Sequence, residues 1–315
     1  MLEEVAVVLV VLILTIRFIY RWQSGRCSSE ATLDGKTVII TGASAGELKA
    51  FTGRRAGRVC LIPWWKVRGM EGGLEVGDVR VEVRHLDTSD LTSVRKFAKR
   101  ILEDERSLHV LINNAGMMGC PKREVTQDGL ELTMATNYYG HFLLTNLLLG
   151  LMKKSSPGRI IALTSSDHSY VNKLNPDSLN FEREHYSSRT AYGQTSLCNI
   201  LFSVELASKL EGTGVTANSV HPGCVHTEFF YKGKVTLFSW ICRKLYLLMG
   251  KDVQLGAQPT IYLAVSQEVE DVSGQYFVDC QVAKTSELAR QKKLAKQVWE
   301  ATEVDVKLQP EEKHY

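Results

Sequence analysis

Six short apolar runs, each ending in a turn and separated from the next by longer intervals, constrain what this chain can fold into. They are Lys36–Thr41, Val79–Leu86, Val110–Asn113, Ile160–Thr164, Val215–Val220 and Tyr276–Val278. Between them, Leu91–Leu102, Leu130–Leu151, Ala191–Leu210 and Gln254–Val265 carry helical patterns. A strand that is apolar at consecutive positions has no face suited to water, so both faces of its sheet need a cover of helices. The predicted fold class is therefore α/β: a doubly wound (Rossmann-like), mostly parallel sheet with helices on both faces. Ligands of such sheets bind at the carboxyl ends of the strands.

No linker, low-complexity stretch or internal repeat divides the 315 residues. One domain is expected over residues 33–300, between an N-terminal segment 1–25 and a polar C-terminal tail 301–315. The 38 Lys+Arg against 35 Asp+Glu leave a net charge of +3, which argues against a nucleic-acid groove. The seven cysteines are odd in number and scattered, without CxxC or His/Cys ligand spacing. Free, reduced thiols and no metal are expected.

Val5–Ile16 is an uncharged, almost wholly apolar run, followed by Arg17, Tyr20, Arg21, Trp22 and Arg26. Twelve to sixteen helical residues span roughly 18–24 Å, short of a ~30 Å hydrocarbon core, though interface anchors extend the reach. The positive flank lies after the run, not before it, so the expected reading is an uncleaved N-terminal membrane-anchor helix with the main domain on the cytosolic side. A cleaved signal and a buried core helix are the alternatives.

Four turns follow strands. Thr41-Gly42-Ala43-Ser44-Ala45-Gly46 lets backbone N–H groups approach a pyrophosphate, although such turns also occur without a nucleotide. Asn113-Asn114-Ala115-Gly116 reads equally as a β-turn. Tyr192 near the start of a helix stands 27 residues after Ser165, and alone would more often be a packed aromatic. His221-Pro222-Gly223, with Thr227, closes a further strand.

Taken in this order at these strand ends, the sequence resembles the short-chain dehydrogenase/reductase family, in its membrane-bound retinol dehydrogenase-like branch. The phrases that carry the resemblance are Leu108–Gly116, Asn137–Leu149, Ala191–Gln194, Asn199–Phe202, His221–Gly223 and Ser273–Cys280. It implies a nicotinamide cofactor, NADP with NAD as the alternative. Gly42, Ser44 and Gly46 would line the phosphates and Asp87 would meet the adenine. Asn113, Ala115 and Gly116 would border the cofactor, and Pro222, Gly223 and Thr227 would touch the nicotinamide. Tyr192 would transfer a proton, Ser165 would hold the substrate oxygen, and Asn137 would sit in a proton relay. The implied substrate is a lipophilic alcohol, aldehyde or ketone. The implied location is the endoplasmic reticulum membrane, with the mitochondrial membrane as runner-up. A homo- or hetero-dimer is compatible with this reading. Phe229–Met249 would be a substrate lid or second membrane contact, with an ordinary amphipathic helix as the alternative.

Three departures stand against this pattern. Glu47 and Leu48 occupy places where the family's nucleotide turn has small residues, and Glu47 would bring negative charge toward the pyrophosphate. Residues 51–77 carry Pro63, Trp64, Trp65 and six glycines where a helix, a strand and a second helix are expected. Finally, Ser196 stands one helical turn after Tyr192, where the family places a lysine that lowers the tyrosine pKa. Protonated Tyr192 still serves reduction, and oxidation is expected to suffer most. The alternative function is a catalytically silent member that acts by binding or by association with an active relative.

Overall fold

The computed structural model describes residues 2–42, 58–62, 73–76, 79–225 and 250–315. Nine strands form one sheet: β1 (Thr37–Thr41), β2 (Arg58–Ile62), β3 (Gly73–Val76), β4 (Val79–Val83), β5 (Val110–Asn113), β6 (Gly158–Leu163), β7 (Val215–His221), β8 (Tyr276–Val278) and β9 (Gln281–Val282). Their spatial order is β3-β4-β2-β1-β5-β6-β7-β8-β9. The seven strands from β4 to β8 in that order pair in parallel, while β3 and β9 add antiparallel edges. The chain moves outward through β2 and β4, then returns to lay β5 beside β1. That reversal opens the crevice in which doubly wound sheets bind ligands.

Alternation along the strands explains the two covered faces. Val38, Ile40, Val110 and Ile112 point to one side, where they meet Ala257, Ile261 and Ala264 of α5 (Val253–Val265). Ile39, Leu111 and Ile160 point to the other. There they meet α2 (Leu91–Asp104), α3 (Gly140–Lys154), α4 (Ser188–Lys209) and α6 (Lys292–Asp305). The period of two in a strand sorts neighbouring apolar residues into separate cores, so a continuous apolar run feeds both. Local chemistry fixes where helices start. Asp90 accepts the N–H groups of Thr92 and Ser93 before α2, and Ser187 accepts that of Thr190 before α4.

The interval 51–77 departs from expectation in one visible way. It supplies the expected strand, β2, and also β3, which pairs antiparallel with β4. Val76 and Val79 are partners in that pairing.

The C-terminus also differs from the sequence reading. Residues 301–305 belong to α6, so the expected polar tail begins inside a helix. Beyond it, Val306 and Leu308 are buried among charged neighbours. Trp299 packs edge-on against Phe142 at 4.7 Å and stacks on Phe202 at 5.7 Å, and the Tyr315 ring meets it edge-on at 5.1 Å. Arg95 of α2 pairs with Glu312 at 3.0 Å. Apolar residues spaced singly among charges hide this packing from a compositional reading.

The N-terminal run lies in α1 (Leu2–Gln23), a 22-residue helix with exposed Val8, Val11, Leu12, Phe18 and Trp22. Among the described residues, no helix is long and apolar enough to cross a membrane. Cys198, Cys224 and Cys280 are free thiols.

Candidate active site

The β1 and β5 ends meet at the crevice. Thr41 closes β1, and its Oγ1 accepts the backbone N–H groups of Asn114 at 2.8 Å and Ala115 at 2.9 Å. Asn114 returns a bond from Nδ2 to the Thr41 carbonyl at 2.7 Å. Gly42 sits at φ +63°, and a Cβ there would lie 2.5 Å from the Ala115 Cα. Glycine is thus required twice over, by conformation and by close approach. Asn113 gives its Nδ2 to Thr145 at 2.9 Å, while its buried Oδ1 has no partner among the described residues. Gly116 continues this turn. Asp87, exposed beyond β4, accepts the N–H and hydroxyl of Ser89 at 2.9 and 2.6 Å. Ser44, Gly46, Glu47, Leu48 and Thr227 lie outside the described residues, as does Phe229–Met249.

Asn137 lies in a π-helical turn, Ala135–Tyr139, just before α3. Its side chain clamps Met117: Oδ1 accepts the Met117 N–H at 2.8 Å, and Nδ2 donates to the Met117 carbonyl at 2.9 Å. Nδ2 also reaches Thr195 Oγ1 at 3.2 Å. The Asn137 main-chain carbonyl faces Asn199 Nδ2 and His141 Nδ1, each at 3.1 Å. Because a carbonyl only accepts, His141 carries its proton on Nδ1. Its Nε2 therefore accepts from the Thr41 hydroxyl at 2.8 Å. Burial holds this imidazole at a pKa of about 4, hence neutral. Sequence reading missed His141, although its i, i+4 relation to Asn137 was an available signal.

Tyr192 and Ser165 come together as expected. Their side chains hydrogen-bond, which lowers the phenol pKa, but burial is the larger effect and pushes it up to about 12. Asp167 and Cys224 push in the same direction as burial. Ser165 also turns the chain after β6, its Oγ accepting the Asp167 N–H at 3.2 Å. Ser196 is buried, and its Oγ donates to the Tyr192 main-chain carbonyl at 3.1 Å. That hydroxyl is engaged by its own helix and brings no charge to the phenol.

At the end of β7, His221 leads into Pro222 and Gly223, the latter at φ +90°. Lys251, wholly buried, crosses beneath: Nζ reaches Asp279 Oδ1 at 2.5 Å and the Pro222 carbonyl at 3.4 Å. A Cβ at Gly223 would lie 2.8 Å from Lys251 Nζ. Burial, and next the Lys251 charge, hold the His221 imidazole at about 4. Lys251 gave no local signal in the sequence. Among the described residues, no group of His, Cys, Asp and Glu could hold a metal.

Comparison with known proteins agrees with this layout. Residues 36–176 match the family model for short chain dehydrogenases. Human retinol dehydrogenase 13 is 40% identical over 289 residues, covering 87% of this chain and 86% of that protein. Mouse retinol dehydrogenase 11 is 40% identical over 286 residues, covering 89% of each. Among solved structures, an uncharacterised Mycobacterium paratuberculosis protein superposes with a TM-score of 0.66 at 30% identity, covering 90% of this chain and 98% of its own. A Burkholderia cenocepacia short chain dehydrogenase in complex with NADP shares the fold, with a TM-score of 0.60 at 20% identity over 78% of this chain and 96% of its own. The crevice at the β1/β5 reversal, the paired Tyr192 and Ser165 and the extent of these identities place the chain in the short-chain dehydrogenase/reductase family, in its retinol dehydrogenase-like branch.

Proposed function

We propose that this chain is an oxidoreductase of retinol dehydrogenase type, moving a hydride between a nicotinamide cofactor and a lipophilic alcohol or carbonyl. The observation that carries this reading is the Tyr192–Ser165 pair at the strand ends, with a neutral tyrosine. The residues present fit a nicotinamide dinucleotide. Gly42 leaves the space that a side chain would fill, and Asn113 keeps a buried acceptor oxygen without a partner. Gly42, Ala115 and Gly116 would border it, with Asp87 toward the adenine and Pro222 and Gly223 toward the nicotinamide. Ser44, Gly46 and Thr227 complete the proposed contacts. NADP is the proposed cofactor. When bound, it supplies or accepts the hydride.

The protein's own share is positioning and proton transfer. Ser165 would hold the substrate oxygen, and Tyr192 would give that oxygen its proton in reduction. A phenol with a pKa of about 12 is almost wholly protonated at neutral pH. Reduction can therefore start from the prevailing form, whereas oxidation needs the rare phenolate. Asn137 fastens the Met117 segment to the helix that carries it, and we assign its carbonyl, with His141 and Asn199, to the proton path. The proposed substrates partition into bilayers, and α1, with its exposed apolar side chains and Arg17, Arg21 and Arg26 behind them, is proposed to seat the domain (residues 33–300) on a membrane through segment 1–25. An endoplasmic reticulum membrane is the proposed site, with the domain facing the cytosol.

The test is a pair of pH profiles on the full chain, with retinal plus NADPH and with retinol plus NADP+. Reduction should stay level from pH 6 to 9, while the oxidative kcat should climb about tenfold per unit. Ser196→Lys should bring the break in the oxidative profile down by roughly 1–3 units. A wild-type oxidative profile already level at pH 8 would sink the neutral-tyrosine reading. No turnover and no NADPH binding would leave the silent member in its place.

A further inference from the structure

The end of α1 touches the rim of the site, although the two are remote in sequence. The Cys224 N–H donates to the Tyr20 hydroxyl at 3.4 Å, across 204 residues. The Cys224 carbonyl accepts the Lys251 N–H at 2.8 Å, and Val225 pairs with Lys251 as a parallel bridge. Lys251 Nζ lies 5.8 Å from the Tyr20 ring centroid, within reach of its π face. Asp279, which holds Nζ, accepts the Gly25 N–H on the same oxygen at 3.1 Å. A Cβ at Gly25 would lie 1.9 Å from the Asp279 carbonyl oxygen, so the backbones touch there. Arg21 pairs with Asp252, whose Oδ1 caps α5 at the Leu255 N–H at 2.8 Å.

We infer that Tyr20 and Arg21 of α1 are positioning residues for the site: through Cys224, Lys251 and Asp252 they hold the Pro222–Val225 segment against the end of β7. The inference builds on the reading that Pro222 and Gly223 border the nicotinamide. Three observations carry it. Both backbone groups of Cys224 are bonded, one by Tyr20 and one by Lys251. Lys251 has no solvent exposure and directs its charge into the same cluster. The Gly25–Asp279 approach fixes where α1 leaves the domain. The N-terminal helix is thereby part of the catalytic scaffold as well as a candidate anchor.

The experiment uses the full chain in detergent micelles, comparing wild type with Tyr20→Phe, Tyr20→Ala and Arg21→Ala. Phe18→Ala, exposed and outside the cluster, is the control. Two quantities are read: hydrogen exchange of the amides at 223–225 without cofactor, and the Kd for NADPH from nicotinamide fluorescence. Losing the Tyr20 bond should speed exchange at Cys224 about two- to tenfold, with β6 and α4 unchanged. The NADPH Kd should rise by a similar factor, and Phe18→Ala should change neither. Unaltered exchange at 223–225 in Tyr20→Phe and Tyr20→Ala overturns the inference. So does faster exchange with an unaltered Kd, because the segment would then not matter to the site. If the wild type binds no NADPH, exchange alone decides: faster exchange upholds the fastening while the cofactor reading falls. If Tyr20→Ala unfolds, Tyr20→Phe, which removes only the hydroxyl, decides.

Discussion

His141 shows how much one buried imidazole can organise. It ties the end of β1 to the turn before α3, and both ring nitrogens are satisfied only when neutral. Its pKa is about 4, against 6.5 ordinarily, so on acidification the unfolded chain takes up the proton first. The stabilisation is complete above about pH 6.5 and drains away as the pH falls toward 4. His221 shifts in the same direction and adds to the slope. His141→Phe should cost roughly 1–3 kcal/mol at pH 7, because the Thr41 hydroxyl loses its nearest acceptor and the Asn137 carbonyl keeps only Asn199 of its two side-chain donors. It should also flatten the fall of Tm between pH 6.5 and 4, measured by calorimetry. A slope unchanged in the variant would assign the acid sensitivity to other groups. Gly42 was legible from its strand-end turn, which is local, while Tyr192 and Ser165 were legible only through the family resemblance that the ordered motifs carry. His141 was legible in principle by its i, i+4 spacing from Asn137. Lys251 and Tyr20 were not, since their partners lie far along the chain and neither sits in a recognisable turn.

At the scale of elements, α6 holds the α3–α4 side together through one residue. Trp299 is nearly wholly buried, between Phe142 of α3 and Phe202 of α4. Its indole N–H donates to Glu303 at 2.7 Å. Trp299→Ala should destabilise the domain by roughly 3–5 kcal/mol, read as a lower denaturant midpoint with an unchanged slope. A loss below about 1 kcal/mol would mean that α6 rests on the domain without bracing it. Six of the seven parallel strands were readable from their apolar runs, and all six observed starts fall within two residues of expectation, that near Ile160 included. The antiparallel β3 was not readable, because Gly73–Val76 is too short for alternation to show against its glycine-rich surroundings. Packing of residues 306–315 escaped for a related reason: single buried residues set among charges carry no period.

For the whole molecule, the question is how a domain with a nearly balanced charge reaches a lipophilic substrate. Val8, Val11, Leu12, Ile16, Phe18, Ile19 and Trp22 leave one helix with much exposed apolar surface. An isolated patch of this kind marks an interaction site. If it is the membrane, full-length protein should float with phospholipid vesicles. Val11→Glu combined with Leu12→Glu should then release it to the soluble fraction without lowering the Tm of the domain. Persistent flotation in that variant would shift the contact to another surface. The sequence carried this expectation through the apolar run and its basic flank, but it held no sign that the same helix would bind the rim of the site.

Ser196, which spends its hydroxyl on a main-chain carbonyl, has a consequence best stated as detailed balance. No residue can alter the equilibrium between an alcohol and its carbonyl, so the forward and reverse specificity constants, taken with the cofactor affinities, must keep a fixed ratio at each pH. A weaker acid gives up its proton more slowly, and its scarcer conjugate base is correspondingly more reactive. By this argument the missing cation slows both directions by comparable factors wherever the phenol stays protonated, and the expectation that oxidation suffers most is carried by its steeper response to pH. What Ser196 leaves unequal is the response to pH, and the net direction of turnover passes to the cell's ratio of reduced to oxidised cofactor.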